Sequence, residues 1–414
     1  MIRPFLSALP LVALLAAAPC AAQMSPAEAV IATAQRALQT NPDHPQRLND
    51  LALGYARRAR ETSDVSYYDK AHEALDRSLA AEPDNYGALR LRVWTLLGQH
   101  RFAEALERGK HLNKLYPDDV LVYGFLADAE TELGRYEEAI ENVQWMLDLR
   151  PGNVPALTRA AYLRELHGWI DGATDFMQKA YERTSPGEKE DRAWIQTHLA
   201  HLELSRGNLD KAEAHLKLAM ELFPDYHYAL AELGKLRLAQ DRVEEAVSAF
   251  EKRYEMAPHP ENLLDVARAL DRAGRKREAE VAYAKFEKAA RAEMNNGDNC
   301  NRDLADYYVD FAEKPEQALQ VTAAEMTRRQ DIFTRATHAW ALHASGRSAE
   351  AWKQMETAIA VGVRDSKMLY RAGIIARAVG NEPAAERLFR ESLEANPTSP
   401  VAAETRRALH HKKG

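Results

Sequence analysis

The chain has 414 residues, 46% hydrophobic and 28% charged, with 55 basic against 62 acidic side chains and a net charge of -7. That composition excludes wholesale disorder and multiple membrane spans, and its acidic balance offers no basic field for nucleic acid. Only 19 glycines and 10 phenylalanines disfavour a turn-rich all-β fold, and the length predicts two or three domains or a repeat array.

The first residues read as an address. Met1-Ile2-Arg3 is a short positive start, Phe5 to Ala18 is an apolar stretch, and Cys20-Ala21-Ala22 offers small residues for cleavage before Gln23. Residues 1–22 are therefore expected to be a secretory signal peptide, and the mature chain to be periplasmic or secreted. The apolar stretch is shorter than the ~20 residues a membrane-spanning helix needs. Cys20 raises lipid anchoring as an alternative, but Ala17-Ala18-Pro19 before it matches lipoprotein processing sites poorly. After cleavage only Cys300 remains, so no internal disulfide can form. Stability must come from packing.

Beyond the leader the chain reads as helical hairpins. A half unit at Ala27–Asn41, within residues 23–45, is expected to cap the array. Pro83, Pro117, Pro151, Pro224 and Pro258 then follow at intervals of 34, 34, 73 and 34 residues. Twelve residues before each stands an alanine: Ala71, Ala105, Ala139, Ala212 and Ala246; Ala385 precedes Pro397 in the same way. Gly134, Gly207, Gly346 and Gly380 fall five residues before Ala139, Ala212, Ala351 and Ala385. Glycine permits the left-handed residue that closes one helix, acidic residues favour the first turn of the next, the alanine allows close approach, and proline ends the unit.

Three segments depart from the period: 56–70 and 181–191 lengthen hairpins, and Asn295-Asn296-Gly297-Asp298-Asn299-Cys300-Asn301 breaks the stride, leaving register least defined from 290 to 335. A terminal helix near Val401–His410, within residues 398–414, is expected to cap the other end ahead of a basic tail.

These phrases resemble the tetratricopeptide repeat family, whose ~34-residue unit runs W-x₂-L-G-x₂-Y, A-x₃-F, P. Tyr123, Leu126-Ala127, Gly134, Tyr136, Ala139 and Pro151 form the best match, followed by Leu230, Leu233-Gly234, Ala246, Phe250 and Pro258. The resemblance implies an all-α, right-handed α-solenoid of about ten helix-turn-helix repeats over residues 46–397. Such hairpins must stack on neighbours to bury both faces.

Catalytic motifs are few. The glycine spacings make GxGxxG and GxxxxGK[ST] impossible, and GxSxG does not occur. His72-Glu73-Ala74-Leu75-Asp76 lacks the second histidine of a zincin helix and reads as packing. His198 and His201 share a helix face and are the best metal candidates, with no third ligand evident; groove-lining histidines are the favoured reading. The Asn/Asp run around Cys300 reads as loop punctuation, and His410-His411-Lys412-Lys413 as a solvated tail. No cofactor and no catalytic group is expected.

In the resembled family the first helix of each unit lines a concave groove. Carried onto this chain, unit by unit, that implies partner-binding places at Arg90, Trp94, Tyr162, Trp194, His201, Tyr228, Lys235, Phe333, Trp340, Tyr370 and Arg377. The family's carboxylate-clamping subset uses Lys and Asn at set first-helix places, whereas here Gly124, Asp128, Thr158 and Tyr162 occupy comparable ones. The expected function is a non-enzymatic scaffold in the cell envelope that binds a protein or extended peptide along its groove. The alternatives are an accessory subunit of a polysaccharide-export or outer-membrane assembly machine, and a metal-dependent protein built on the two histidines.

Overall fold

A computed structural model describes residues 24–297 and 299–410; the expected leader and the last four residues lie outside them. The described residues form twenty-two helices and no strand. Helix α1 (Pro26–Thr40) precedes ten hairpins. The first five are α2–α3 (Pro45–Thr62, Ser66–Ala81), α4–α5 (Tyr86–Gly98, Phe102–Leu115), α6–α7 (Val120–Glu132, Tyr136–Leu149), α8–α9 (Val154–Leu166, Ile170–Arg183) and α10–α11 (Lys189–Ser205, Leu209–Leu222). The second five are α12–α13 (His227–Ala239, Val243–Met256), α14–α15 (Pro260–Arg272, Lys276–Glu293), α16–α17 (Asn301–Asp310, Pro315–Glu325), α18–α19 (Ile332–Ala344, Ser348–Ile359) and α20–α21 (Ser366–Ala378, Glu382–Ala395). Helix α22 (Ala402–His410) follows.

One local rule builds every hairpin. Each turn contains a left-handed residue: Gly134, Gly168, Gly207, Gly274, Gly346 and Gly380 in six, and Ser63, His100, Asp241 and Glu313 in the others. In nine hairpins an alanine stands five residues later, and in the first, where the turn is lengthened, Ala71 stands eight after Ser63. From Ala71 through Ala385 these alanines are at most 1% exposed, because each lies where its helix crosses its partner and no larger side chain fits. Glycine at the facing position completes the fit in two units: a methyl group at Gly234 would come within 2.5 Å of the Phe250 ring, and one at Gly373 equally close to Phe389.

The period predicts a continuous superhelix but leaves its pitch open. In the structure the turns of the superhelix rest on one another. The α6–α7 turn meets the segment before α18: the Gln330 amide donates to the Glu132 carbonyl at 2.9 Å, the Ile332 amide donates to the Tyr136 hydroxyl at 2.8 Å, and Arg329 pairs with the Glu132 carboxylate. The α10–α11 turn meets the segment after α21, where Asn396 Nδ2 donates to the Leu204 carbonyl at 2.9 Å. Gly168 lies so close to Gly362 that a methyl group would collide with the Gly362 carbonyl. Apolar packing follows the same route, since one buried cluster joins Ala127, Val143 and Leu163 to Ile332, Met355 and Leu388. These contacts span 192 to 198 residues, or roughly six repeats of ~34 residues.

Candidate functional site

Polar side chains of the first helices α8, α10 and α12 meet one another in a ladder across three units. Glu165 on α8 receives both histidines of α10, His198 Nε2 at 2.8 Å and His201 Nε2 at 3.0 Å. His201 Nδ1 faces Glu232 of α12 at 3.6 Å, and Lys235 Nζ donates to Glu232 at 2.7 Å. The His201 ring keeps 40% of its surface accessible, yet removal from bulk water is the largest influence on its proton. That desolvation pulls the imidazolium down, but Glu165 and Glu232 outweigh it and hold the pKa at about 10. Desolvation likewise pushes Glu165 and Glu232 up, and their cationic neighbours, His201 first for Glu165 and Lys235 first for Glu232, pull both well below the usual carboxylate range.

A second set gathers where the superhelical turns meet. Two adjoining cavities of about 260 and 370 Å³ share Glu132 and Tyr162 as walls. In the larger one Arg371 donates to Asp306 at 2.8 Å and to Asp310 at 2.7 Å, and Lys367 reaches Asp306 at 2.7 Å. Arg329 bridges Glu132 and Asp331. Burial raises the Glu132 carboxyl, with Arg329 opposing; burial also acts on Asp331, but Arg302 and Arg329 bring it below its ordinary value.

The positions expected from the groove fall into distinct places. Tyr162 and Phe333 line the larger cavity. His201 and Lys235 belong to the ladder, and Trp194 stacks on His198 with centroids 5.5 Å apart. Tyr228 packs against His227 and Tyr226 at 3.9 and 5.4 Å. Trp340 donates its indole N–H to Asp310 at 2.7 Å and carries the Arg371 guanidinium over its ring at 5.0 Å. Trp94 and Tyr370 are half-buried against apolar clusters. Arg90 pairs with Asp119 at 2.9 Å in another cleft, of about 700 Å³, walled by Tyr86, Tyr116 and Pro117. Arg377 pairs with Glu382 and donates to the Ala408 carbonyl at 2.8 Å, tying α22 to the array. The positions thus do not form one row.

Sequence reasoning missed the acidic half of the site. Glu165 stands 33 and 36 residues before the two histidines it holds, about one repeat away, so pairing charges one period apart on first helices would have found it. It is also the third group near the rings that was not evident in the sequence. Both Nε2 atoms are engaged with its two oxygens, and among the described residues no group of three or more His, Cys, Asp and Glu is placed to hold a metal ion. The loop before α16 is knitted by its own amides, with Asn299 Nδ2 donating to the Asn296 and Gly297 carbonyls.

The tetratricopeptide repeat model matches three stretches, residues 91–154, 198–262 and 337–400. The chain carries tetratricopeptide repeats. Solved structures share its fold: a human IFIT1 dimer with m7Gppp-AAAA is 18% identical, with 88% of this chain and 84% of that one covered at a TM-score of 0.50. The Cut9-Hcn1 hetero-tetramer of APC/C is 14% identical over 87% of this chain at a TM-score of 0.44; the match spans 56% of that chain, just over half its length. A thermophilic repeat protein of Thermus thermophilus is 24% identical over 50% of this chain and 98% of its own, at a TM-score of 0.40. No curated protein sequence matches. Tetratricopeptide repeats serve as surfaces for protein partners, and no helix among the described residues is long and apolar enough to cross a membrane.

Proposed function

We propose that this tetratricopeptide-repeat chain is an exported, non-enzymatic scaffold that holds a protein or extended peptide against its inner face. The observation that carries this reading is the pair of adjoining cavities at the meeting of the superhelical turns, lined by Tyr162, Phe333 and acidic and basic side chains from different repeats. Repeat arrays use such surfaces to grip extended segments, and half-buried aromatics beside charges supply most of the energy in such contacts. The partner-binding set is therefore centred on Tyr162, Trp194, His201, Lys235, Phe333 and Trp340. Arg377 braces the last helix in this reading and is left out of the contact.

Pull-down from an envelope extract with the wild type and a Tyr162→Ala, Phe333→Ala double variant tests the assignment. A specific partner retained by the first and lost by the second supports it; equal recovery from a folded variant overturns it. Recovery of polysaccharide-export or outer-membrane assembly components would place the scaffold as a subunit of such a machine. Export is part of the same proposal and rests on residues 1–22. Mass spectrometry of the mature protein is expected to find Gln23 as the first residue, whereas a lipid on Cys20 or an uncleaved leader would contradict it.

A further inference from the structure

The charges around the larger cavity pair off unevenly. Arg371 and Lys367 are satisfied by Asp306 and Asp310, and Arg329 and Arg302 by Glu132 and Asp331. Asp365 caps the start of α20 through the Met368 amide. One lining carboxylate remains, Asp303 of α16, which makes no ion pair and accepts no hydrogen bond among the described residues. Arg268 on α14 and Arg302 act on it through space, without reaching ion-pair distance. It stands in the first turn of α16, where the helix dipole favours an anion. Even so, desolvation, with Glu261 and Asp306 adding repulsion, raises its pKa to about 6. Asp303 is only half-buried, so its carboxylate remains open to a cation that enters the cavity.

The same cavity has aromatic walls, Tyr162 on α8 and Phe333 on α18. Its volume of about 370 Å³ suits one long side chain. An aliphatic stem can lie along apolar and aromatic surface while its cationic head reaches a carboxylate. We propose that this cavity is a subsite for an arginine or lysine side chain of the bound partner, with Asp303 as the carboxylate that receives the cationic head and Tyr162 and Phe333 flanking the stem. The subsite rests on the partner-binding reading above and names the partner as a segment carrying a basic residue.

Titration calorimetry of the mature chain with N-acetyl-arginine amide, and with its uncharged citrulline counterpart, tests it. The wild type is expected to bind the arginine probe saturably at one site and not the citrulline probe. Asp303→Asn should weaken that binding by roughly tenfold or more, the loss of one charge-assisted contact. Circular dichroism and melting establish that the variant is folded, and Asp303→Glu should restore part of the affinity. Arginine binding that Asp303→Asn leaves within twofold, equal binding of citrulline, or no binding by the folded wild type each overturns the subsite. Partner capture that depends on Tyr162 and Phe333 but not on Asp303 would remove the subsite and leave the scaffold reading intact.

Discussion

The hairpin α12–α13 and the hairpin α16–α17 obey the same rule with different sequences. In the first, Leu230, Gly234, Ala246 and Phe250 all sit where the family motif puts them, and helices of 13 and 14 residues result. In the second no proline ruler survives and the helices have 10 and 11 residues, yet Glu313 takes the left-handed turn and Ala318 is fully buried five residues on. What the short unit loses in motif it gains in charge. On α16, Leu304, Tyr307 and Tyr308 face the core, while Asp303, Asp306 and Asp310, at helical spacing, share the other face. Packing therefore requires only the turn and the alanine, and the remaining positions are free to serve the interior.

Substitutions can separate the two hairpins. The largest effect is expected at the junction on which the α16–α17 region depends. Arg329→Ala strands the shielded Glu132 carboxylate and leaves Asp331 with Arg302 alone as its cation, and should cost about 3 kcal/mol in urea unfolding. A comparable variant in an exposed pair, Arg347→Ala, should leave the unfolding midpoint nearly unchanged, and equal effects would refute the burial argument. Next come Ala246→Trp and Ala318→Trp. Overpacking predicts a loss of roughly 1–3 kcal/mol for both; a loss confined to Ala246→Trp would show that the short unit does not follow the common rule.

A third test concerns the ladder. The folded state raises the His201 pKa to about 10, above the ordinary value of ~6.5, so its contribution is fully present below pH ~6.5 and is lost as pH rises through about 10. His201→Gln should therefore be less stable than wild type at pH 6, with the gap closing toward pH 10. A gap that widens with pH would have the wrong sign.

The smallest effect belongs to Asp303. Its pKa, raised to about 6 by desolvation and by Glu261 and Asp306 against Arg268 and Arg302, means that the folded state prefers the neutral acid. Ionisation at pH 7 thus costs stability that returns as pH falls below about 6. Asp303→Asn should melt slightly higher than wild type at pH 7 and no higher at pH 4.

The fold was legible because packing repeats: Gly134, Ala139 and Pro151 carry the same information as Gly380, Ala385 and Pro397, so errors at one unit are corrected by the next. The site was only half legible. Tyr162, His201 and Phe333 could be placed from first-helix positions, since those belong to the local unit. Glu165 stands one period before His198 and His201 and could have been paired with them, whereas Glu132 and Asp331 could not, because a charge at a solvent-tolerant position looks the same whether it meets water or another repeat. The meeting of residues 132 and 330 was not legible at all. It follows from the superhelical pitch, which small rotations between units accumulate and no single unit encodes.

The approach of residues 132 and 330 is open to a distance measurement. Spin labels at positions 135 and 327, with Cys20 and Cys300 replaced by serine, flank the 2.9 Å hydrogen bond between Gln330 and Glu132 by three residues on each side. With ~3.8 Å between consecutive Cα atoms, stacked turns predict a single narrow distance well under ~40 Å including the label arms. A broad distribution centred beyond that limit would mean that the superhelix is open and that the inner cavities between Tyr162 and Phe333 do not exist in solution.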